Sequence, residues 1–382
     1  MRHVCSRLLA PTGVIATTLS LVFAAQAQVY PDAEWETRKP REVGLDTSKL
    51  EAFSAFLGGQ GCIVRHGYMV YTWGDQQKRT DVASACKPVY SHFLFKAVEE
   101  NKLPSTDELV VKYQPCLKEI NACLGHKDAR ISFRHLVNQI SGYGVREDPG
   151  TAFDYNDYNM TLFFDTLMLK VYGCADWQKV DDEVLRPKLT DPLQCQDHPT
   201  LTAFGAGNRA GRLGISVRDF ARLGLLYLRQ GNWKGRQLIS REHVVMAVTS
   251  PIPNSIPRTR AQQAEMCPGQ RSVGSQRIPD DQCDHNGCYS FAWWINGVGR
   301  NGQRGWPDAP TDTYGAFGHC QGLRAMVVIP SLAIVVSWND TNLCNYSGNP
   351  QNEALRRLVA AVVAQQPPVA VISANPLSGR PP

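Results

Sequence analysis

Ser84-Ala85-Cys86-Lys87, leading into residues 85–101 patterned at helical spacing, is the stretch that decides how this chain folds and works. Residues three apart on a helix share a face, so Lys87 can reach the Ser84 hydroxyl. A serine hydroxyl is a weak nucleophile until a base removes its proton. A lysine held in a dry cleft can lose its own proton near neutral pH and serve as that base. The helix N-terminus adds a positive field that favours a developing oxyanion. Pro88 fits the first helical turn, where a missing N–H costs little. Taken alone, Ser-x-x-Lys is a weak signal, because a capped helix with an exposed lysine is spelled the same way.

Two further stretches carry matching chemistry. Phe153-Asp154-Tyr155-Asn156-Asp157 follows the turn residues Pro149-Gly150. A tyrosine beside an ammonium can be stabilised as phenolate and carry protons. Gly318-His319-Cys320-Gln321-Gly322 stands just before a β-branched run. There His319 could support a substrate carboxylate or proton traffic, and a glycine N–H could help form an oxyanion hole. Each has a bland alternative: a core tyrosine, and a histidine satisfied at a strand end.

Working outward, residues 46–57 alternate at helical spacing behind Asp46, a candidate N-cap. Cys62–Arg65 and Tyr68–Trp73 read as strands of a tight hairpin through His66-Gly67. Residues 131–140 and 217–230 read as helices, and 250–315 as a long loop region with strand-like pieces near 289–295. Leu323–Ile329 and Ala333–Trp338 read as strands, and 352–364 as a last helix. Strands therefore come from both ends of the chain. The economical architecture is α+β: one antiparallel sheet containing 62–73 and 323–338, terminal helices on it, and an inserted, mainly helical lobe at roughly 85–300. A cleft between lobe and sheet is the default site.

The three stretches, in their order and separation, resemble the serine β-lactamase and penicillin-binding protein superfamily, in its class C-like esterase branch. Ile131-Ser132-Phe133-Arg134-His135-Leu136 with Ser141-Gly142 is similar to the family's I-T-x-R-H-L-L-x-x-T-S-G. Pro149-Gly150-Thr151 with Phe153 and Tyr155 is similar to P-G-x-x-F-x-Y-S-N. Ser216–Tyr227 resembles S-A-R-D-L-A-R-F-G-L-L-Y-L. The likeness spans about 40–362 and implies a β-lactamase/transpeptidase-like fold. It implies Ser84 as the acylated nucleophile, Lys87 as its base and Tyr155 as the tyrosine of the Tyr-x-Asn element. His319 takes the place of the family's Lys or His, and Gly322 would give the second oxyanion N–H beside that of Ser84. Two positions depart. Asp157 replaces Asn and cannot donate as an amide does. Gln321 replaces Gly and would narrow the groove. Both speak against efficient β-lactam hydrolysis.

The resemblance implies a serine hydrolase acting on a small ester, amide or peptide, with no cofactor and no metal. A D-Ala-D-Ala peptidase or β-lactamase is the alternative, and a non-catalytic penicillin-binding module the alternative of another class. Trp293, Trp294 and Trp306 are candidates for an apolar pocket wall or for plain core.

Arg2 and Arg7, the apolar stretch 8–25 and Ala25-Gln26-Ala27 read as a signal peptide over 1–27, so the mature domain runs 28–364 and the protein is periplasmic or secreted. A Pro-rich tail at 365–382 is expected to be disordered. Losing Arg2 and Arg7 takes the formal charge from +5 to about +3, too weak for a nucleic-acid partner. No later segment is apolar enough to span a membrane. Of twelve cysteines, eleven remain after cleavage, which in an oxidising compartment implies disulfides and at least one free thiol. Cys116/Cys123, Cys283/Cys288 and Cys174/Cys195 are candidate pairs. Cys86, two positions from Ser84, is expected to pack behind the site as a free thiol, unbonded to Cys320.

Overall fold

The computed structural model describes residues 28–203, 210–279 and 282–363. The signal-peptide and tail readings fall on 1–27 and 365–382, outside the described residues.

In chain order the elements are α1 (Thr47–Leu57), β1 (Gln60–Arg65), β2 (Tyr68–Trp73), β3 (Thr80–Asp81), α2 (Lys87–Glu99), α3 (Phe133–Val137), α4 (Asp157–Asp165), β4 (Thr200–Ala203), β5 (Arg212–Ile215) and α5 (Val217–Leu228). They continue as β6 (Asn232–Trp233), β7 (Arg236–Gln237), α6 (Arg241–Thr249), β8 (Tyr289–Ser290), β9 (Trp293–Ile295), β10 (Tyr314–Gly318), β11 (Arg324–Ile329), β12 (Ile334–Asn339) and α7 (Pro350–Ala360). Polar side chains set the helix starts: Asp46 accepts from the Lys49 N–H, Ser132 from His135, Asn156 from Tyr158 and Asn159, and Ser216 from Asp219.

Seven strands form one antiparallel sheet in the order β2-β1-β12-β11-β10-β9-β8. The two ends of the chain meet at the β1–β12 pairing, with Ile63 opposite Val336. The segments 62–73 and 323–338 thus share one sheet, as expected. Its central strands are buried on both faces, which is why they read as unbroken apolar runs. Alternation assigns the faces. Ile63, Val327, Val336 and Trp338 pack under α1 and α7 with Leu50, Phe53 and Leu355. Cys62, Val64, Met326 and Val335 face the lobe with Phe220, Leu223 and Leu226 of α5.

The lobe runs from β3 through α6. It is mainly helical but carries the small sheet β3-β5-β4 and the hairpin β6–β7. Residues 289–295 already belong to the large sheet, through β9 against β10, so the lobe gives way to sheet before 300. Between Leu109 and Ile131 the helical content is a chain of short 3₁₀ turns.

The cysteine pairs differ from expectation. Cys116 bonds Cys267, and Cys320 bonds Cys344. Cys123 is an exposed thiol, and Cys174, Cys195 and Cys288 also carry thiols, so none of the three candidate pairs is a bridge. Short spacing misled because a left-handed Asn121 and a 3₁₀ turn at Ala122–Leu124 carry Cys123 outward. Cys86 is a buried thiol unbonded to Cys320, as expected, and donates to the Tyr90 hydroxyl (3.3 Å), but it lines the cavity with Ser84 rather than packing behind it.

Candidate active site

The site forms where the lobe meets β10. A cavity of about 250 Å³ is lined by Ser84, Lys87, Asp157, Arg212, Gly274 and His319, among others. Pairing of β3 with β5 brings the chain in, and the Val82 N–H donates to the Leu213 carbonyl (3.0 Å). Ala83 then takes a positive φ of 49°, a costly conformation for a residue with a Cβ. Its N–H is fixed by the Asp81 carboxylate (2.7 Å). Ser84 therefore sits in a 3₁₀ turn, Ala83–Cys86, one step ahead of α2, and not on the α-helix itself. Pro88 occupies the first turn of α2, where its missing N–H breaks no bond.

Lys87 reaches back from the first position of α2. Its Nζ donates to Ser84 Oγ (2.8 Å) and to Asp157 Oδ1 (3.1 Å), and lies 4.5 Å from the centre of the Tyr155 ring. Asn156 caps α4 and so holds Asp157 at that helix's first position, where a carboxylate is favoured. The second Asp157 oxygen accepts the Ser275 N–H (3.0 Å).

Electrostatics correct two expectations. Burial disfavours the Lys87 ammonium, but the Asp157 carboxylate, then Tyr155 and Cys86, outweigh it and lift Lys87 above its ordinary value. Burial pushes Asp157 the other way, and Lys87 with the Ser275 N–H outweighs that, holding Asp157 below the usual carboxylate range. Lys87 is thus an ion-paired ammonium and not the neutral base expected of a dry cleft. Asp157 pairs with Lys87, as a carboxylate in place of the amide can, and is not turned to a substrate. Burial raises Tyr155 to about 12 against the pull of Lys87, so it is a neutral phenol and not a phenolate. It stacks on Trp294 and meets Tyr289 edge-on.

His319 directly follows β10 with a positive φ of 55° and lines the cavity. Burial, then the guanidinium groups of Arg324 and Arg212, lower its pKa, so the imidazole is neutral at pH 7. Gly322 does not supply an oxyanion donor. Its N–H donates to the His319 carbonyl (3.1 Å) and closes the turn Cys320–Gly322. Gln321 lies in that turn, and its side chain is outside what is described. What approaches Ser84 instead is the strand end: a Cβ on Gly318 would fall 2.2 Å from the Val82 oxygen and 3.2 Å from the Ser84 nitrogen.

A family model described as Beta-lactamase matches residues 47–365. The chain belongs to the Beta-lactamase family. Solved structures carry the same fold at low identity. A protein from Bacteroides dorei DSM 17855, provisionally described as a beta-lactamase, matches with TM-score 0.59 and 15% identity, over 83% of this chain and 99% of that one. A provisionally described 6-aminohexanoate-dimer hydrolase from Bacillus anthracis matches with TM-score 0.57 and 12% identity, over 87% and 88%. A penicillin-binding protein homologue from Caulobacter crescentus matches with TM-score 0.53 and 14% identity, over 88% and 99%. A search of curated proteins returned no match.

This Beta-lactamase family member is a serine hydrolase. Its site contains groups that no local motif announced. Arg212 enters from β5, held by Asp81 through Nε (3.2 Å) and Nη2 (2.5 Å). Gly274 and Ser275 arrive from a loop more than 110 residues beyond Asp157. Only the pairing of β3 with β5 could have signalled Arg212. Two of the three tryptophans are core: Trp293 packs on Tyr227 and Tyr314, and Trp306 on Phe317, whereas Trp294 is half-buried and stacks on Tyr155. His285, inside the Cys283–Cys288 stretch, spends both ring nitrogens within the protein, on the Ile256 carbonyl and the Gly287 N–H.

Proposed function

We propose that the protein is an exported hydrolase that cleaves a small ester or amide through an acyl-enzyme on Ser84. The observation that carries this reading is the 2.8 Å hydrogen bond from Lys87 Nζ to Ser84 Oγ at the floor of an open cavity. A nucleophile and a proton-handling group joined in this way can act together on one carbonyl carbon. The Ser84 N–H, in the first turn of its 3₁₀ segment, is one oxyanion donor. Tyr155, as a neutral phenol against Lys87, positions the ammonium. His319, uncharged, offers a hydrogen bond at the cavity rim. The neighbours' descriptions, a beta-lactamase and a 6-aminohexanoate-dimer hydrolase, are both hydrolytic.

Export is supported by the reading of residues 1–27, by two disulfides, and by the absence of any helix among the described residues long and apolar enough to cross a membrane. An ester or amide fits better than a β-lactam because Asp157, turned to Lys87 and Ser275, offers no amide N–H to a substrate.

A fluorophosphonate probe tests the nucleophile. It should label the wild-type protein at Ser84, and Ser84→Ala should abolish labelling while leaving the thermal unfolding midpoint within a few degrees. A label that persists in the variant, or maps to another serine, refutes the mechanism.

A further inference from the structure

Ser84 must lose a proton, and the geometry limits where it can go. Lys87 Nζ is the group hydrogen-bonded to Ser84 Oγ, and its next partner is Asp157 Oδ1. Both side chains are buried, at 4% and 9% exposure. A carboxylate so placed needs its counter-charge, since an unpaired buried charge costs several kcal/mol. The resting pair is therefore ammonium and carboxylate. An ammonium has no lone pair with which to accept from Ser84. It can accept one proton only as it gives up another, and the atom waiting at 3.1 Å is Asp157 Oδ1. The loop 273–275 is built around this carboxylate. The Ser275 N–H binds its far oxygen, and a Cβ on Gly274 would fall 2.1 Å from that same oxygen.

We propose that Asp157 is the final acceptor of the Ser84 proton, relayed through Lys87, so that Lys87 never works as a free amine. This rests on the Ser84 acyl-enzyme reading. In acylation, Ser84 Oγ bonds to the carbonyl carbon and its proton passes to Lys87 Nζ. One Nζ–H passes to Asp157 Oδ1, and the carbonyl π pair moves to the oxygen. Lys87 remains an ammonium, and the negative charge has moved from Asp157 to the oxyanion. As the intermediate collapses, the bond to the leaving group breaks. That group takes a proton from Nζ, which recovers it from Asp157. Water repeats the sequence in deacylation and returns Ser84.

The groups facing the pair do not mimic this behaviour on the alkaline side. Tyr155, Tyr289 and Cys86 are buried and raised, and therefore neutral. Cys283 acts on Tyr155 and Tyr289 from the neighbouring loop, Tyr90 lines the cavity floor, and Arg212 helps keep Asp157 ionised. His319 titrates below its ordinary 6.5, so it overlaps the acid limb of any profile. The decisive range is neutral to alkaline.

The test is the rate of Ser84 labelling by a fluorophosphonate as a function of pH. The relay predicts a flat wild-type profile from about pH 7 to pH 9, since Asp157 and Lys87 keep their charges there. Asp157→Asn removes the acceptor and the counter-ion, so the neutral amine must act. Labelling should drop roughly 100-fold at pH 7 and then rise with pH only until the amine is neutral, since burial without the carboxylate lowers Lys87. Asp157→Glu should keep the flat profile at a reduced rate. A wild-type rate that itself climbs about tenfold per unit overturns the relay, even if no variant folds. So does an Asp157→Asn protein with the wild-type rate and profile. No labelling of wild type at any pH would instead sink the Ser84 reading, and the relay with it.

Discussion

At the scale of single residues, Gly274 matters because it lacks a side chain. Its Cα lies against the carboxylate that pairs with Lys87, and a Cβ would stand 2.1 Å from Asp157 Oδ2. Gly274→Ala must push either the loop or the carboxylate away, and the Ser275 hydrogen bond goes with it. We expect a stability loss of about 1–3 kcal/mol, the usual cost of overpacking. We also expect slower labelling of Ser84, because Asp157 no longer holds Lys87 in place. Unfolding curves and labelling rates, measured together, check both. Unchanged values in both would mean that the loop yields freely and does not position Asp157. This residue also marks the limit of sequence reading. Ser84, Lys87 and Tyr155 were legible as positions because they sit in short local patterns, but the protonation of Lys87 and Tyr155 was not, since it is set by Asp157 and by burial. Gly274, Ser275 and Arg212 were not, since their roles depend on which distant strand or loop arrives beside Ser84. Gly322 was misread because the turn after His319 closes on its N–H rather than continuing the strand.

At the scale of elements, α5 shows how closely the lobe is pressed onto the sheet. Its apolar face carries Phe220, Leu223 and Leu226, and Gly224 sits where the helix comes nearest. A Cβ there would lie 2.5 Å from Val335 Cγ1 and 2.8 Å from Met326 Sδ. In an exposed helix, replacing glycine by alanine stabilises by up to about 1 kcal/mol. Here the sign should reverse. Gly224→Ala is expected to destabilise by about 1–3 kcal/mol, read from the denaturant midpoint. A gain in stability would show that α5 rides further from β11 and β12 than described. The same contrast explains which elements were readable. Strands β1, β11 and β12 are apolar on both faces, and α5 is amphipathic over three turns, so their patterns survive without tertiary knowledge. Strands β3 and β5 are two and four residues long and exist only because a partner pairs with them.

At the scale of the whole molecule, two disulfides divide structural from functional work. Cys116–Cys267 spans 151 residues and ties the start of the lobe to the loop that leads toward Gly274. Cys320–Cys344 spans 24 residues and pins the turn directly after His319. Chain entropy favours the longer loop, with a ceiling of about 5 kcal/mol against about 3.5 for the shorter. Burial differs as well: Cys267 is buried, whereas Cys320 and Cys344 are exposed. Mild reductant should therefore open Cys320–Cys344 first. We expect this step to slow Ser84 labelling while the unfolding midpoint falls little, because His319 and the strand end beside the Ser84 N–H lose their tether. Replacing Cys116 and Cys267 together with serine should do the opposite. The unfolding free energy should fall by about 3–5 kcal/mol, and labelling should continue at temperatures where the protein stays folded. Thiol mapping after graded reduction, run beside thermal melts and probe labelling, separates the two. If opening Cys320–Cys344 leaves the labelling rate untouched, the turn after His319 holds its shape without the bond, and the tether serves stability alone.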